Sequence, residues 1–423
     1  MRAVPSFALA QVGPTRAGGL VSRSRRGGVK HGFESTLGDV DVTKASNPES
    51  FEPRPYIWSG PQISEARSLD RNCYVSPDFF RSEVEHIHAR GWIIVGRTDE
   101  WPTAGCYRAV ETVGGPVLIV RDDEGELRAF ANFCRHRGAQ LLEDCGVARK
   151  ILCPYHAWSY RLNGALLGAP AMEETHGFDK SEWGLLPIRL EIWEGFAFIN
   201  YSNEAPSLLT DIGDLAGLLA SHKLGDMVCT WRKEIEFKCN WKLLLENAME
   251  TYHTGTVHAA TVGAQKSVSW SGVGEWMGIQ VLSDKSIAVM HGEPPFKPIA
   301  GLSDQARKGT FFMVLHPTTQ FCCAQDCMWW LAARPVSADR TVLSIGGCFP
   351  RQTVEQPNFE QDAAPYYKRW ESVALEDGGV LERLQIAIGS RLFRPGPLSW
   401  RDDLVHAFDQ WVLNKLPASA RGA

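Results

Sequence analysis

CRHRGA, which starts at residue 134, and CPYHAWSY, which starts at residue 153, are the two stretches of this sequence that decide its fold. Each short loop offers one cysteine and one histidine: Cys134 with His136, and Cys153 with His156. Two thiolates and two imidazoles can hold one zinc ion, or a two-iron cluster with cysteines on one iron and histidines on the other. Zinc sites of this type usually place Cys near Cys and His near His, so the mixed loops favour the two-iron centre.

The residues around these pairs resemble the Rieske box of ring-hydroxylating oxygenases, and residues 91–137 resemble the same domain throughout. The resemblance implies one Rieske [2Fe–2S] cluster per chain, held by Cys134, His136, Cys153 and His156. Such a cluster has two imidazole ligands, which keep its reduction potential within roughly −150 to +300 mV.

Three neighbouring positions refine this resemblance. Respiratory-chain Rieske proteins carry an extra cysteine three residues after each histidine, where this chain has Ala139 and Ser159. The cluster therefore resembles the oxygenase kind. Ala157 stands where the oxygenase family usually has glycine, and we expect the added methyl group to cost little.

A second motif, NWKLLLENAMETYHTGTVH, starts at residue 240 and contains two histidines, His253 and His258. We predict a helix over about residues 240–254, on which two side chains five positions apart would point about 140° from each other. Gly255 can distort the helix and bring His258 back. Two imidazoles with one carboxylate form the facial triad of non-haem Fe(II) oxygenases, which leaves positions open for dioxygen.

This segment resembles the iron-binding motif of the same oxygenase family. The resemblance implies a mononuclear Fe(II) bound by His253, His258 and a carboxylate from a late helix. We assign Asp377, in the segment ALEDGGVLERLQIAIG, as that third ligand. Asp402 and Asp403 are the alternatives, but they lie in a stretch that resembles the closing helix of the family.

Glu250 departs from the family pattern, which usually has Asp three residues before the first iron histidine. On the predicted helix it lies one turn from His253 and can orient that imidazole. The resemblance also implies that Glu250 accepts a hydrogen bond from His156 of a neighbouring subunit and bridges the two metal sites. Glu at this position is found in a minority subgroup that includes some oxygenases of quaternary amines such as carnitine.

The pattern of elements predicts an α+β protein. Residues 1–50 form a basic extension, either a disordered tail or an organellar transit peptide. Residues 51–205 are predicted to form an all-β Rieske domain after a helix that starts at Ser76-Pro77 and ends at Gly91. Residues 206–423 are predicted to form an α+β catalytic domain with a central antiparallel sheet. Its predicted strands are Ile279–Leu282, Phe311–Leu315, Met328–Arg334 and Thr341–Cys348, and its later helices lie near Tyr367–Ala387 and Asp402–Leu413.

The composition argues against several classes of function. The net charge of −5 does not favour nucleic-acid binding, and no run of about 18 or more apolar residues predicts a membrane span. Eleven irregularly spaced cysteines favour a reducing compartment, which we expect to be the cytoplasm, or a plastid or mitochondrion if a transit peptide is present. No glycine-rich fingerprint opens a βαβ unit, so we expect NADH or NADPH to act only through a partner.

The family resemblance implies the terminal component of an oxygenase for a small organic substrate, with O2 as co-substrate. A separate reductase, with or without a ferredoxin, would supply electrons from NADH or NADPH. Electrons would leave the cluster through His156 and pass by Glu250 and His253 to the iron of the next subunit in a homotrimer.

We expect aromatic ring hydroxylation, with monooxygenation of a quaternary amine of the carnitine or choline type as the alternative. An electron carrier without oxygenase activity and a structural zinc protein are remote possibilities. Four tryptophans could form an aromatic cage for a cation, although packing in the core is the favoured interpretation. They are Trp270, Trp276, Trp329 and Trp330.

Overall fold

The computed structural model describes residues 63–421, so the predicted basic extension over residues 1–50 lies outside the described residues. The helices are α1 (Arg71–Val75), α2 (Pro77–Glu83), α3 (Leu208–Ile212), α4 (Leu215–Leu219), α5 (Trp241–Ala248), α6 (Thr254–Val257), α7 (Asp304–Arg307), α8 (Arg351–Val354), α9 (Phe359–Ile388), α10 (Asp403–Lys415) and α11 (Ala418–Arg421). None of these helices is both long enough and apolar enough to cross a membrane.

The first ten strands belong to the N-terminal part of the described chain. They are β1 (Ile93–Arg97), β2 (Cys106–Thr112), β3 (Gly115–Arg121), β4 (Leu127–Ala131), β5 (Cys145–Val147), β6 (Ile151–Leu152), β7 (Ser159–Tyr160), β8 (Leu166–Gly168), β9 (Pro187–Trp193) and β10 (Phe196–Asn200). Seven of them form one sheet in the order β1-β10-β9-β4-β3-β2-β5, and β6, β7 and β8 form a second, smaller sheet.

The predicted helix start at Ser76-Pro77 and the predicted turn after β3 are both present in the structure. Ser76 caps α2 by accepting a hydrogen bond from the Phe79 N–H, and Pro77 takes the first helical position, where its missing N–H costs nothing. The helix then widens into a π-helical turn over Val84–His88 before the chain reaches Gly91. Asp122 closes the polar turn between β3 and β4, because its carboxylate accepts hydrogen bonds from the backbone N–H groups of Glu124 and Glu126.

The remaining strands form a seven-stranded antiparallel sheet, which we call the catalytic sheet. They are β11 (Met227–Phe237), β12 (Ser267–Ser271), β13 (Trp276–Leu282), β14 (Gly309–Leu315), β15 (Thr319–Cys323), β16 (Met328–Ser337) and β17 (Arg340–Pro350). Their order is β11-β17-β16-β15-β14-β13-β12. The four strands predicted in this region are confirmed, each slightly longer than expected, while the boundary between the predicted domains at residue 205 stays a prediction.

Both faces of the catalytic sheet are covered, because successive side chains of a strand point to opposite sides. On β16, Trp329 packs in the cluster that contains α9 and α10, while Trp330 packs on the other face among β1, β9 and β10. The near-continuous burial of β14 to β17 follows from this two-sided packing.

Helix α9 is the longest element and starts earlier than the predicted helix over Tyr367–Ala387. Proline is favoured in the first turn of a helix, so Pro365 would locally favour a helix that starts near it. The helix instead starts six residues earlier, at Phe359, and includes Pro365 in its interior. Tertiary packing outweighs the proline, because Phe359 and Tyr366 stack against Phe296 and meet Phe349 edge-on.

The same helix approaches the catalytic sheet closely at Gly378. A Cβ atom on Gly378 would overlap the ring of Phe237 at the end of β11, whereas a Cβ on the exposed Gly379 would meet nothing. Glycine is therefore required at the first of these adjacent positions for packing and is dispensable at the second.

We expect Gly378→Ala to lower the free energy of unfolding by about 1–3 kcal/mol, because the methyl group forces α9 away from Phe237. Gly379→Ala should raise it by up to about 1 kcal/mol, since alanine restricts the unfolded chain and fits a helix. Denaturant unfolding of the two variants measures both effects. Equal effects in the two variants would contradict the close approach at Gly378.

Candidate functional site

The two cysteine–histidine loops have the same backbone geometry. In the first, the Cys134 N–H donates to the Ala139 carbonyl at 2.8 Å, and the Gly138 N–H donates back to the Cys134 carbonyl at 2.9 Å. The second loop repeats both bonds around Cys153, at 2.7 Å and 3.2 Å, with Ala157 in the place of the glycine. The same pair of backbone hydrogen bonds therefore closes both loops, although His136 follows its cysteine by two residues and His156 by three.

The side chains of these loops form a group with one buried end and one exposed end. Cys134 and Cys153 are 1% and 2% exposed, and neither forms a disulfide. His136 and His156 are exposed, with ring centroids 4.8 Å apart. The Tyr160 hydroxyl lies 3.3 Å from the Cys134 sulfur. Two adjoining free thiols below two imidazoles fit the ligand set of a Rieske cluster.

Ala157 contradicts the expectation that a methyl group costs little at this position. Its φ is +57°, in the left-handed region, where the Cβ atom of an L-residue crowds the backbone. Gly138 holds the equivalent place in the first loop with φ +75°. The second loop is therefore strained at Ala157, by about 1 kcal/mol on the usual cost of this conformation.

The structure brings the predicted facial triad together. The Nε2 atom of His258 lies 3.0 Å from Asp377 Oδ1, and the Nε2 atom of His253 lies 3.6 Å from the same oxygen. One possible ligand atom from each residue lies within 4.8 Å of the others. Asn247 adds a 3.4 Å hydrogen bond to Asp377. Two imidazoles and a carboxylate in this arrangement fit a mononuclear iron.

Each of the two imidazoles is held from behind by a carboxylate. Glu250 Oε1 lies 2.5 Å from the Nδ1 atom of His253, and Glu376 Oε2 lies 2.7 Å from the Nδ1 atom of His258. These bonds orient both Nε2 atoms toward a metal. Burial opposes a charge on His258, but the two carboxylates beside it raise the pKa of this imidazole above its ordinary value.

The single helix predicted over residues 240–254 is wrong. Helix α5 ends at Ala248, and Glu250 and His253 lie in the turn that follows. The Glu250 carboxylate accepts hydrogen bonds from the backbone N–H groups of Tyr252 and His253, and these compete with the helical pattern. The contact between Glu250 and His253 exists, but a turn makes it, not a helix face.

The other candidates of the sequence lie elsewhere. Asp402 accepts a hydrogen bond from the Ser399 N–H at the start of the last long helix, and Asp403 begins α10. Three of the four candidate tryptophans are packed in the core away from the triad: Trp270, Trp276 and Trp330. Glu376 was not predicted to orient His258, although each ligating histidine needs such a partner.

A pocket opens beside the triad between α9 and the catalytic sheet. Its walls are mainly apolar, and its aromatic side chains are Phe312, Trp329 and Trp370. Arg369 reaches the same pocket from α9, and its side chain was not singled out from the sequence. The pocket can hold a small organic molecule next to the three candidate iron ligands.

Two family models match the chain: the Rieske [2Fe-2S] domain over residues 91–182, and the ring hydroxylating alpha subunit (catalytic domain) over residues 225–418. The carnitine monooxygenase oxygenase subunit of Acinetobacter baumannii is 33% identical over 354 residues, which cover 82% of this chain and 90% of that protein. The chain belongs to the Rieske non-haem iron oxygenases. It is an alpha subunit of that family.

Two further comparisons extend over most of the Rieske oxygenase chain. The glycine betaine monooxygenase oxygenase subunit of Pseudomonas aeruginosa is 26% identical over 368 residues, which cover 78% of this chain and 85% of that protein. The crystal structure of the quaternary ammonium Rieske monooxygenase CntA with L-carnitine is 25% identical, with a TM-score of 0.71 and coverage of 84% and 97% of the two chains.

These matches confirm the predicted family, the α+β fold class and the enzyme class, an oxidoreductase that incorporates oxygen. They also confirm the predicted cofactors, a Rieske cluster and a mononuclear iron. The assignment of individual ligands to these groups stays a prediction.

We expect Ala157→Gly to raise the free energy of unfolding by about 1 kcal/mol, since glycine adopts φ of +57° without crowding. Ala139→Gly, in the other loop, has no positive φ to relieve and should be destabilising or neutral. Thermal unfolding of the cluster-loaded protein measures both changes. A lower melting temperature for Ala157→Gly would contradict strain in the second loop.

We expect Glu376→Gln to weaken iron binding by about 10- to 100-fold, because His258 loses the carboxylate that orients it. Iron retained per chain during competition with a chelator measures the loss, and the cluster absorption should stay unchanged. Glu371→Gln on the same helix is the control, since Glu371 is partly exposed and, among residues 63–421, forms an ion pair only with Lys233 at 2.9 Å. Equal iron retention in both variants would exclude this role of Glu376.

Proposed function

We propose that the chain is the oxygenase subunit of a monooxygenase for a small quaternary ammonium compound. Of the two substrate classes expected from the sequence, this was the alternative, and aromatic ring hydroxylation came first. The observation that carries the proposal is the 33% identity to a carnitine monooxygenase subunit along 82% of the chain. Glu250 supports it, because Glu at this position is typical of the subgroup that includes carnitine oxygenases.

In this proposal, Cys134, His136, Cys153 and His156 hold the cluster. The buried position of the two thiols and the exposed position of the two imidazoles support the assignment, since electrons can then leave at the protein surface. Tyr160 supports the buried end with a hydrogen bond to the Cys134 sulfur.

His253, His258 and Asp377 hold the iron in the same proposal. When bound, the cluster supplies single electrons and the iron activates dioxygen. Glu250 and Glu376 keep the two imidazoles oriented, and the apolar walls of the pocket exclude water from the substrate. Monooxygenation places one oxygen atom of O2 in a substrate C–H bond and reduces the other to water, with electrons that a separate reductase takes from NADH or NADPH.

We further propose that the enzyme works as a homotrimer in which His156 of one subunit reaches Glu250 of the next. Near the cluster, Tyr155 is 57% exposed and lies with its ring 3.8 Å from that of His156. Near the iron site, Tyr252 and Trp400 are 58% and 72% exposed. Exposed aromatic groups beside both sites support a contact between subunits at these surfaces.

Metal analysis of protein purified without oxygen tests the two sites. We expect about three irons per chain, two from the cluster and one from the triad, with the broad visible absorption of a histidine-ligated cluster. Two irons with the same absorption would remove the triad from the proposal, and zinc without colour would remove both sites. Sedimentation of the same sample should give a trimer, and full activity of a strict monomer would contradict the route between subunits.

The substrate class is tested by single turnover of chemically reduced protein, which needs no partner reductase. We expect product from carnitine or glycine betaine and little from naphthalene or biphenyl. The triple variant that lacks the triad, with alanine at positions 253, 258 and 377, is the control for chemistry outside the site. Turnover of the aromatic compounds alone would overturn the proposed substrate class.

A further inference from the structure

Arg369 is a charged side chain buried beside the triad. It lies on α9, on the helix face that also carries Val373 and Asp377, because positions four and eight residues apart share a face. Its side chain lines the pocket and is only 4% exposed. Among the described residues that line this pocket, it is the one charged group outside the triad and its partner Glu250.

Among residues 63–421, no hydrogen bond or ion pair holds the guanidinium of Arg369, and the carboxylate whose charge acts on it, Asp377, lies beyond ion-pair distance. The Nε atom of Arg369 is sealed from solvent without a hydrogen bond, and within the described chain no carboxylate forms an ion pair with it. Its charge lies over the ring of Trp329, 4.9 Å from the centroid. Burial lowers the pKa of Arg369 to about 10, so the group stays protonated at neutral pH. Asp377 is engaged with His253 and His258, so Arg369 still lacks a directly paired carboxylate, and a buried cation of this kind is costly unless a ligand supplies a counterion.

We infer that Arg369 binds a carboxylate of the substrate, so that the pocket selects zwitterions such as betaines over cations with a neutral end. The planar guanidinium donates two parallel hydrogen bonds to a carboxylate, a geometry that few other groups match. The inference rests on the proposed function for the cationic end of the substrate. The recognition of the carboxylate end of the substrate is argued from Arg369 alone.

The charges at the other end of the pocket complement this assignment. Glu250 and Asp377 line the pocket at that end, and Glu376 lies behind His258, so three carboxylates surround a site that takes one divalent ion and a cationic group is favoured there. Arg369 lies eight residues before Asp377, which is about 12 Å along the helix axis. Both side chains nevertheless line one pocket and their charges interact, so a small zwitterion can place its carboxylate at Arg369 and its ammonium end toward the triad.

Four probes separate this inference from the proposed function: glycine betaine, choline, benzoate and benzyl alcohol. The first pair carries a quaternary ammonium group, the second an aromatic ring, and one member of each pair carries a carboxylate. Calorimetric binding to the oxidised, cluster- and iron-loaded protein needs no reductase and no turnover. We expect glycine betaine to bind about 10- to 100-fold more tightly than choline, the range for a charged hydrogen bond.

Arg369→Gln should abolish that difference, and Arg369→Lys should keep part of it. Arg383→Gln is the control, because Arg383 is exposed on the same helix and, within the described part of the chain, donates only to the Gly379 carbonyl. Equal binding of glycine betaine and choline to the wild type, or an equal loss of both in Arg369→Gln, would overturn the inference and leave the proposed function standing. An Arg369-dependent preference for benzoate, with no binding of either ammonium compound, would support the inference and overturn the proposed function.

Arg369→Met separates recognition from a structural role. Methionine keeps the packing against Trp329 and removes the unpaired charge, so we expect the ligand-free variant to melt at or above the temperature of the wild type. A clearly lower melting temperature, with cluster and iron contents retained, would show that Arg369 stabilises the fold and would overturn its assignment to substrate.

Discussion

The contact between Gly378 and the Phe237 ring sets the distance between α9 and the catalytic sheet, and the site depends on that distance. Asp377 is the neighbour of Gly378 on the helix, and it meets His258 and His253 only when α9 lies this close. A Cβ atom at position 378 would lie well inside an ordinary contact distance of the Phe237 ring, so the helix would have to move outward and would carry Asp377 away from His258. The iron site is thus a property of helix-to-sheet packing, not of one segment.

The two metal sites solve the problem of ligand placement in different ways. The cluster loops are local structures, because each cysteine closes its own loop through two backbone hydrogen bonds. The proposed iron site gathers its candidate ligands from a turn after α5, from the residue that ends α6 and from the middle of α9. It therefore depends on two carboxylates to orient the imidazoles. Glu250 holds His253, and Glu376 holds His258.

This difference explains which parts could be predicted from the sequence. The spacing within CRHRGA and CPYHAWSY favoured the cluster and the family resemblance identified it, and apolar runs predicted four strands of the catalytic sheet. Asp377 was assigned only through family resemblance, since no spacing rule links it to His258. The end of α5 and the strain at Ala157 were missed because they depend on side-chain and backbone geometry that periodicity does not contain. Arg369 was missed because its significance lies in the missing partner, which only the packed structure shows.

Glu250 already has its acceptor oxygens engaged within one subunit. Two backbone N–H groups and the imidazole of His253 hold the carboxylate in the turn. A side chain held in this way has little rotational freedom left to lose when another donor approaches. Assembly of the proposed trimer would then meet a preorganised acceptor, and the proposed passage of an electron between subunits need not wait for this carboxylate to rearrange.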